Sequence, residues 1–211
     1  MPSLQHANPL DLYSPVPPAP PGATDIAEGH GEIQGADIVV LDRALTEPEW
    51  DKVRAFTRRT SRESLRLRFG QAADFNDERT LRRFIDIDAG SGEMIWMLEE
   101  GGAICAIAHL VRLSPERAEI ALIVRSDRAR RGIGERLLRI TLARAAQRDL
   151  KTLSALVLYE NTAMLRLARK LGFEVRQSSG LAVELERDLG RTDMATAYAG
   201  VSIDAIGVAA R

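Results

Sequence analysis

The sequence predicts an α/β fold of the α+β kind: a mixed, mostly antiparallel sheet of about seven strands with helices packed on it. Two observations predict this. Three strand-like segments follow one another over 93–125, joined only by the short turn signals "EEGG" and "SPE", and such links permit only antiparallel neighbours. Downstream, a strand, a helix and a further strand alternate, which is the pattern of a parallel crossover.

Each element has its own signal. "ADIVVL" (Ala36–Leu41) is an apolar β-branched run and opens the compact region. Residues 47–60 place Pro48 at a helix start, with Trp50, Val53 and Phe56 at helical spacing. Residues 76–87 predict a second helix, with Leu81, Phe84 and Ile85 inward. The period then changes to strands over 93–100, 101–113 and 117–125. A helix over 133–148, a strand over 152–159 and a helix over 161–172 follow, the last closed by Gly172. "FEVRQ" and "LAVELER" finish the domain as a strand pair. The expected division is a tail over 1–35, a domain over 36–189 and a second tail over 190–211. The first tail holds five prolines within 14–23 and no Lys or Arg, which favours extended, loosely held chain; a docking ligand for a partner is the functional alternative.

Composition narrows the function. At 211 residues and 45% hydrophobic the chain suits one ordinary core, and a net charge of -1 argues against a nucleic-acid binder. The single cysteine, Cys105, permits no internal disulfide and sits in apolar "AICAIA", so it reads as a buried small hydrophobe rather than a nucleophile. No apolar run reaches the roughly 18 residues of a membrane span, and no secretory signal is visible, so a cytoplasmic protein is expected. His6, His30 and His109 show no metal-ligand spacing, and no metal is expected.

The stretch "RARRGIGERLL" (128–138) sets Arg128, Arg130 and Arg131 against Gly132 and Gly134, where a strand gives way to a helix. Helix N-termini expose unpaired amides and partial positive charge, and glycine lets an anion come close. The Gly-Lys-Ser/Thr of a P-loop and the third glycine of a dinucleotide fingerprint are both missing. Taken alone, "RRGIG" fits an anion site or an ordinary strand-to-helix turn.

In order and separation, "AEIALIVRSD", "RARRGIGERLL", "VLYENTAMLRLARKLGFEV" and, upstream, "RLRFG" resemble the GNAT superfamily of acyl-CoA-dependent N-acetyltransferases, and most of all its bacterial protein lysine acetyltransferases. The resemblance covers about 36–188 and implies a stand-alone catalytic domain. It implies helices on both faces of a sheet that splays after the fourth strand. Acetyl-CoA would lie in that splay, paired with the backbone of Leu122, Ile123 and Val124. Its pyrophosphate would sit on the amides of Arg130, Arg131, Gly132, Ile133, Gly134 and Glu135, and Asn161 would touch the cofactor arm. The implied acceptor is a lysine on an AMP-forming acyl-CoA synthetase, and the chain would be a monomer or homodimer. Two positions depart from the superfamily pattern. Ala129 stands where Gln or Arg usually precedes the first glycine by three, with Arg130 and Arg131 available to supply charge. Ala168 stands where many members carry a tyrosine acid, which the lysine-acetyltransferase branch often lacks.

Chemistry adds the need for a base. A lysine amine with pKa about 10.4 is neutral in roughly one molecule in 2,500 at pH 7, a penalty near ~4.6 kcal/mol. Glu119 is the candidate: it opens an otherwise apolar central strand, where desolvation raises a carboxyl pKa, and the resemblance assigns the same role to a glutamate at this position. The plain alternative is a strand-end glutamate facing solvent. His109 reads as a packed or surface residue before a substrate group, Glu160 as an aid to the helix start, and Asp86 and Asp88 as a helix end and turn that could also meet a basic substrate segment. Two other functions stay open: acetylation of a small amine, and a non-catalytic acyl-CoA-binding module, which would have no need of Glu119.

Overall fold

The computed structural model describes residues 36–69, 74–75, 77–85 and 93–190. The proline-rich segment, His6, His30, Asp86, Asp88 and residues 191–211 lie outside the described residues.

Among the described residues, seven strands form one sheet in the order β1-β2-β3-β4-β5-β7-β6. They are β1 (Ala36–Leu41), β2 (Met94–Glu100), β3 (Ala103–Arg112), β4 (Arg117–Val124), β5 (Thr152–Leu158), β6 (Glu174–Ser179) and β7 (Ala182–Asp188). Every neighbouring pair is antiparallel except β4 and β5. The expected mixed, mostly antiparallel sheet with one parallel crossover is therefore what the chain forms.

Helices cover both faces. Helices α1 (Glu47–Arg58), α2 (Arg62–Phe69) and α3 (Glu78–Ile85) lie on one, where Trp50, Val53, Phe56, Leu65 and Leu81 pack on Ile95, Met97, Ile107 and Ile123. Helices α4 (Ile133–Ala146) and α5 (Thr162–Lys170) lie on the other, with Leu137, Leu138 and Ala168 against Trp96, Leu98, Ala108 and Ile120. Strand β2, in the middle of both layers, is apolar at every position from Met94 to Leu98 because neither of its faces meets water. Among the described residues, no helix is long and apolar enough to cross a membrane.

Most elements fall where the periodicity predicts, but α2 does not. Its apolar residues Leu65, Leu67 and Phe69 alternate like a strand, yet residues 66–69 of "RLRFG" belong to this helix. What makes it helical is its start. Ser61 Oγ accepts from Ser64 N–H at 3.1 Å, and the Leu65 amide donates to the Ser61 carbonyl at 3.0 Å. Ser126, far along the chain, joins this cap: its Oγ accepts from the Ser61 amide at 2.8 Å and lies 3.2 Å from Ser64 Oγ.

Candidate active site

The sheet is split at its one parallel junction. Strands β4 and β5 pair only at Arg117–Thr152, Ala118–Leu153 and Glu119–Ser154. Beyond that point β4 stays with β3 up to Val124, and β5 stays with β7 up to Leu158. The two halves part, and a cleft opens between them, lined by Leu67 and Arg68 of α2, Glu119 to Leu122 of β4, Ala155 to Val157 of β5, and Asn161 and Met164. Leu122, Ile123 and Val124 thus run along the outer half of β4, past the last residue paired with β5.

Glu119 stands at the point of parting. Alternation along β4 turns Ile120, Leu122 and Val124 toward α4 and leaves Glu119, Ala121 and Ile123 on the α1–α3 face. Burial pushes the Glu119 carboxyl above the ordinary carboxylate value; Arg68 pulls it back and Glu184 adds to the rise. Glu184 belongs to β7 and reaches this face because Leu156 of β5 is its register partner. It makes no ion pair among the described residues. Leu156, between the two glutamates, is 63% exposed, unusual for a large apolar residue in a central strand.

The connection from the outer end of β4 to α4 presents backbone. After β4 a single 3-10 turn (Ser126–Arg128) leads into Arg130 and Gly132, both with positive φ (63° and 76°), and Gly132 caps α4. Such an alternation turns successive amides toward one concavity, where anions bind. The first hydrogen bond into the helix runs from the Arg136 amide to the Gly132 carbonyl at 2.9 Å, so the amides of Ile133, Gly134 and Glu135 stand open ahead of it. A Cβ on Gly132 would meet no atom within 4 Å, whereas one on Gly134 would come 3.3 Å from Val124 Cγ2. Gly132 is needed for its backbone conformation, and Gly134 for the close seating of α4 on β4.

Side chains sort themselves around this loop. Arg130 and Arg131 are exposed and make no ion pair among the described residues. Arg128 turns back to Glu100 at 3.1 Å, although not in hydrogen-bond geometry. Burial raises the Glu135 carboxyl, but hydrogen bonds from Lys170 and Arg139 outweigh it and hold the group low, so its charge is spent away from the loop. The loop is anchored by Arg125, 2% exposed, which donates to the Ile104 carbonyl at 2.9 Å and to Asp127 at 2.6 Å.

Asn161 lines the cleft and also caps α5, its Oδ1 accepting from the Met164 amide at 3.1 Å, which leaves its amide nitrogen free to donate to a ligand. Glu160 points the other way and pairs with Arg66 of α2. Cys105 is fully buried in the core. Ala168 is fully buried too, and places no acid group at the cleft. Among the described residues no group of His, Cys, Asp and Glu could hold a metal ion.

His109 lies on the Glu119 face of β3, opposite Ala121. Burial first, and Arg68 second, hold its imidazole down to about 4, so at neutral pH its approach to Glu93 at 3.9 Å is not an ion pair. The ordinary value is 6.5, so in acid the unfolded chain takes up a proton that the fold refuses. This contribution to stability is complete above about 6.5 and is lost as pH falls toward 4, on the order of 3 kcal/mol in all. Urea unfolding at pH 7 and pH 4.5 is expected to show a steep loss in the wild type and a shallower one in His109→Gln.

Arg68, Leu67, Leu156 and Glu184 were not singled out from sequence. The alternation in "LAVELER" does set Glu184 and Glu186 on one strand face, but only the β5–β7 register brings that face to Glu119.

The family model for the acetyltransferase (GNAT) family matches residues 57–173, more than half of the chain. Solved structures share the fold. The GNAT domain of S. lividans PAT aligns at 24% identity over 71% of this chain and 89% of that one, with a TM-score of 0.63. The spermidine N-acetyltransferase of Vibrio cholerae, in complex with CoA and spermine, aligns at 14% identity over 72% and 96%, with a TM-score of 0.57. The protein yncA of Salmonella typhimurium, with its cofactor acetyl-CoA, aligns at 16% identity over 73% and 95%, with a TM-score of 0.52.

Proposed function

The chain belongs to the acetyltransferase (GNAT) family, and from that premise we propose that it moves an acetyl group from acetyl-CoA to the ε-amine of a protein lysine, on an AMP-forming acyl-CoA synthetase, with Glu119 as general base. The observation that carries the reading is the position of Glu119: a carboxylate of raised pKa where β4 and β5 part, with the open amides of Ile133, Gly134 and Glu135 following the far end of β4. A non-catalytic binding module has no use for that carboxylate.

The residues present fit acetyl-CoA. The open amides of Ile133, Gly134 and Glu135, with the unpaired charges of Arg130 and Arg131, suit a pyrophosphate. The outer half of β4 and the amide nitrogen of Asn161 suit an extended arm with its own amides. Acetyl-CoA supplies a thioester carbonyl as electrophile and a thiolate leaving group, which water protonates because Ala168 brings no acid. The chain's own task is at the amine. Glu119 takes its proton, directly or through a water, which offsets much of the roughly 4.6 kcal/mol needed to reach the neutral amine at pH 7.

The face around Glu119 matches a lysine side chain in both its parts. Leu156 offers apolar surface to a four-carbon stem, and Glu119 with Glu184 offers negative charge to the cationic head. A polyamine has the same two parts, so the test must separate them. Full-length protein, acetyl-CoA and a purified AMP-forming acetyl-CoA synthetase are incubated, with spermidine in a parallel arm. Thiol release together with an acetylated lysine in the mass spectrum is the expected result; release with spermidine alone would reassign the acceptor to small amines.

A further inference from the structure

Arg68 is a cation with no ion-paired anion among the described residues, and Glu119 acts on it only through space. Helix α2 delivers it to the cleft beside Glu119, yet among the described residues it makes no hydrogen bond or ion pair. Its one close partner is the ring of Phe69, with the guanidinium carbon 4.6 Å from the ring centre. Its neighbours in the helix bundle are saturated by comparison: Arg66 pairs with Glu63 and Glu160, Arg82 with Glu47 and Glu78. Burial draws the Arg68 guanidinium down to about 10, against the pull of Glu119.

Desolvating a guanidinium without pairing it costs stability, and folds keep such a group where a ligand supplies the missing anion. Its planar fork of donors matches a carboxylate better than any other side chain does. The position of α2 decides which ligand comes near. The open amides of α4 lie on the face presented by Ile120, Leu122 and Val124, while Arg68 and Glu119 share the face covered by α1–α3, which the proposed function gives to the acceptor.

Resting on the acetyltransferase reading of this cleft, we infer that Arg68 selects acceptors that carry a carboxylate beside the reacting amine: the amine goes to Glu119 and its acidic neighbour to Arg68. On a protein this is a lysine flanked by Asp or Glu. A plain polyamine offers no anion, and would face Arg68 with like charge.

The test uses full-length protein, acetyl-CoA and peptides with one lysine flanked within two positions by Glu or by Gln. Thiol release gives kcat/KM for each. The wild type is expected to favour Glu-flanked peptides about tenfold, the size of one charge-assisted hydrogen bond. In Arg68→Gln that ratio falls to about one, and Arg68→Lys restores part of it, with acetyl-CoA binding as the check that the cleft is folded. If Arg68→Gln slows both peptide sets equally, Arg68 acts through Glu119 and the inference is overturned. It is overturned as well if the variant changes the choice between acetyl-CoA and succinyl-CoA but not between peptides, since the carboxylate would then belong to the donor. If neither peptide set reacts, the lysine reading fails separately. A free amino acid against its amide then decides the matter: a preference lost in Arg68→Gln upholds the role of Arg68, and equal rates overturn it.

Discussion

Replacing Glu119 by Gln is expected to lower kcat/KM by about 10²- to 10⁴-fold while acetyl-CoA still binds, the usual range for loss of a positioned base. The substitution keeps shape and removes only the proton acceptor. The pH profile separates this from a packing effect. Burial holds the Glu119 carboxyl above 4.5, so the acid limb of kcat/KM in the wild type should have its midpoint above that value, and the limb should vanish in the variant. The sign for stability is opposite. A carboxyl whose pKa is raised by folding is ionised in the fold at a cost relative to the unfolded chain, at every pH above its ordinary value. Glu119→Gln is therefore expected to melt at a higher temperature than the wild type at pH 7. Slower turnover with greater heat stability marks a residue kept for function. Near-native turnover in Glu119→Gln would end the assignment.

Gly132→Val is expected to raise the KM for acetyl-CoA at least about tenfold. Gly132 has a φ of 76°, which costs an L-residue roughly 1–2 kcal/mol and a β-branched one more. No atom lies within 4 Å of where the Cβ would be, so the penalty comes from the backbone alone and is relieved by turning the loop. That turn carries the amides of Ile133 and Gly134 out of line. One lost charge-assisted hydrogen bond is worth about tenfold. Acetyl-pantetheine, which lacks the pyrophosphate, is the control. The advantage of acetyl-CoA over acetyl-pantetheine should shrink in the variant, whereas an equal loss with both donors would mean that the loop supports the fold and does not hold phosphate.

Sequence periodicity was a good guide wherever a segment buries one face on its own. The α4 start at Ile133 and the strand "ADIVVL" lie where the pattern puts them, because apolar residues at 3.6 or 2 positions leave one solution. Helix α2 was not legible, since eight residues with one buried side chain are held by a cap that includes the distant Ser126. Glu119 could be chosen from its strand, because one carboxylate in an apolar run stands out. Its companions could not. Arg68 and Glu184 matter only through non-local pairing, the first by the packing of α2 on β4 and β5, the second by the register of β7 on β5. Arg125 read as the polar end of a strand, and is buried because Asp127 and the Ile104 carbonyl satisfy it. A single chain shows none of those partners in advance.

The split between β4 and β5 gives the sheet two interior edges, and edges are where sheets go wrong. Among the described residues, Ile120 to Val124 face no strand on that side, in the middle of the sheet where an edge cannot be shielded by charge. An extended ligand arm with amides of its own would serve as the absent strand. It would then belong to the folding equilibrium as well as to the chemistry: a ligand at a hundred times its Kd adds about 2.7 kcal/mol to the native state. The protein's lifetime against proteolysis would rise and fall with the supply of acyl-CoA, so that the enzyme is most abundant when its donor is.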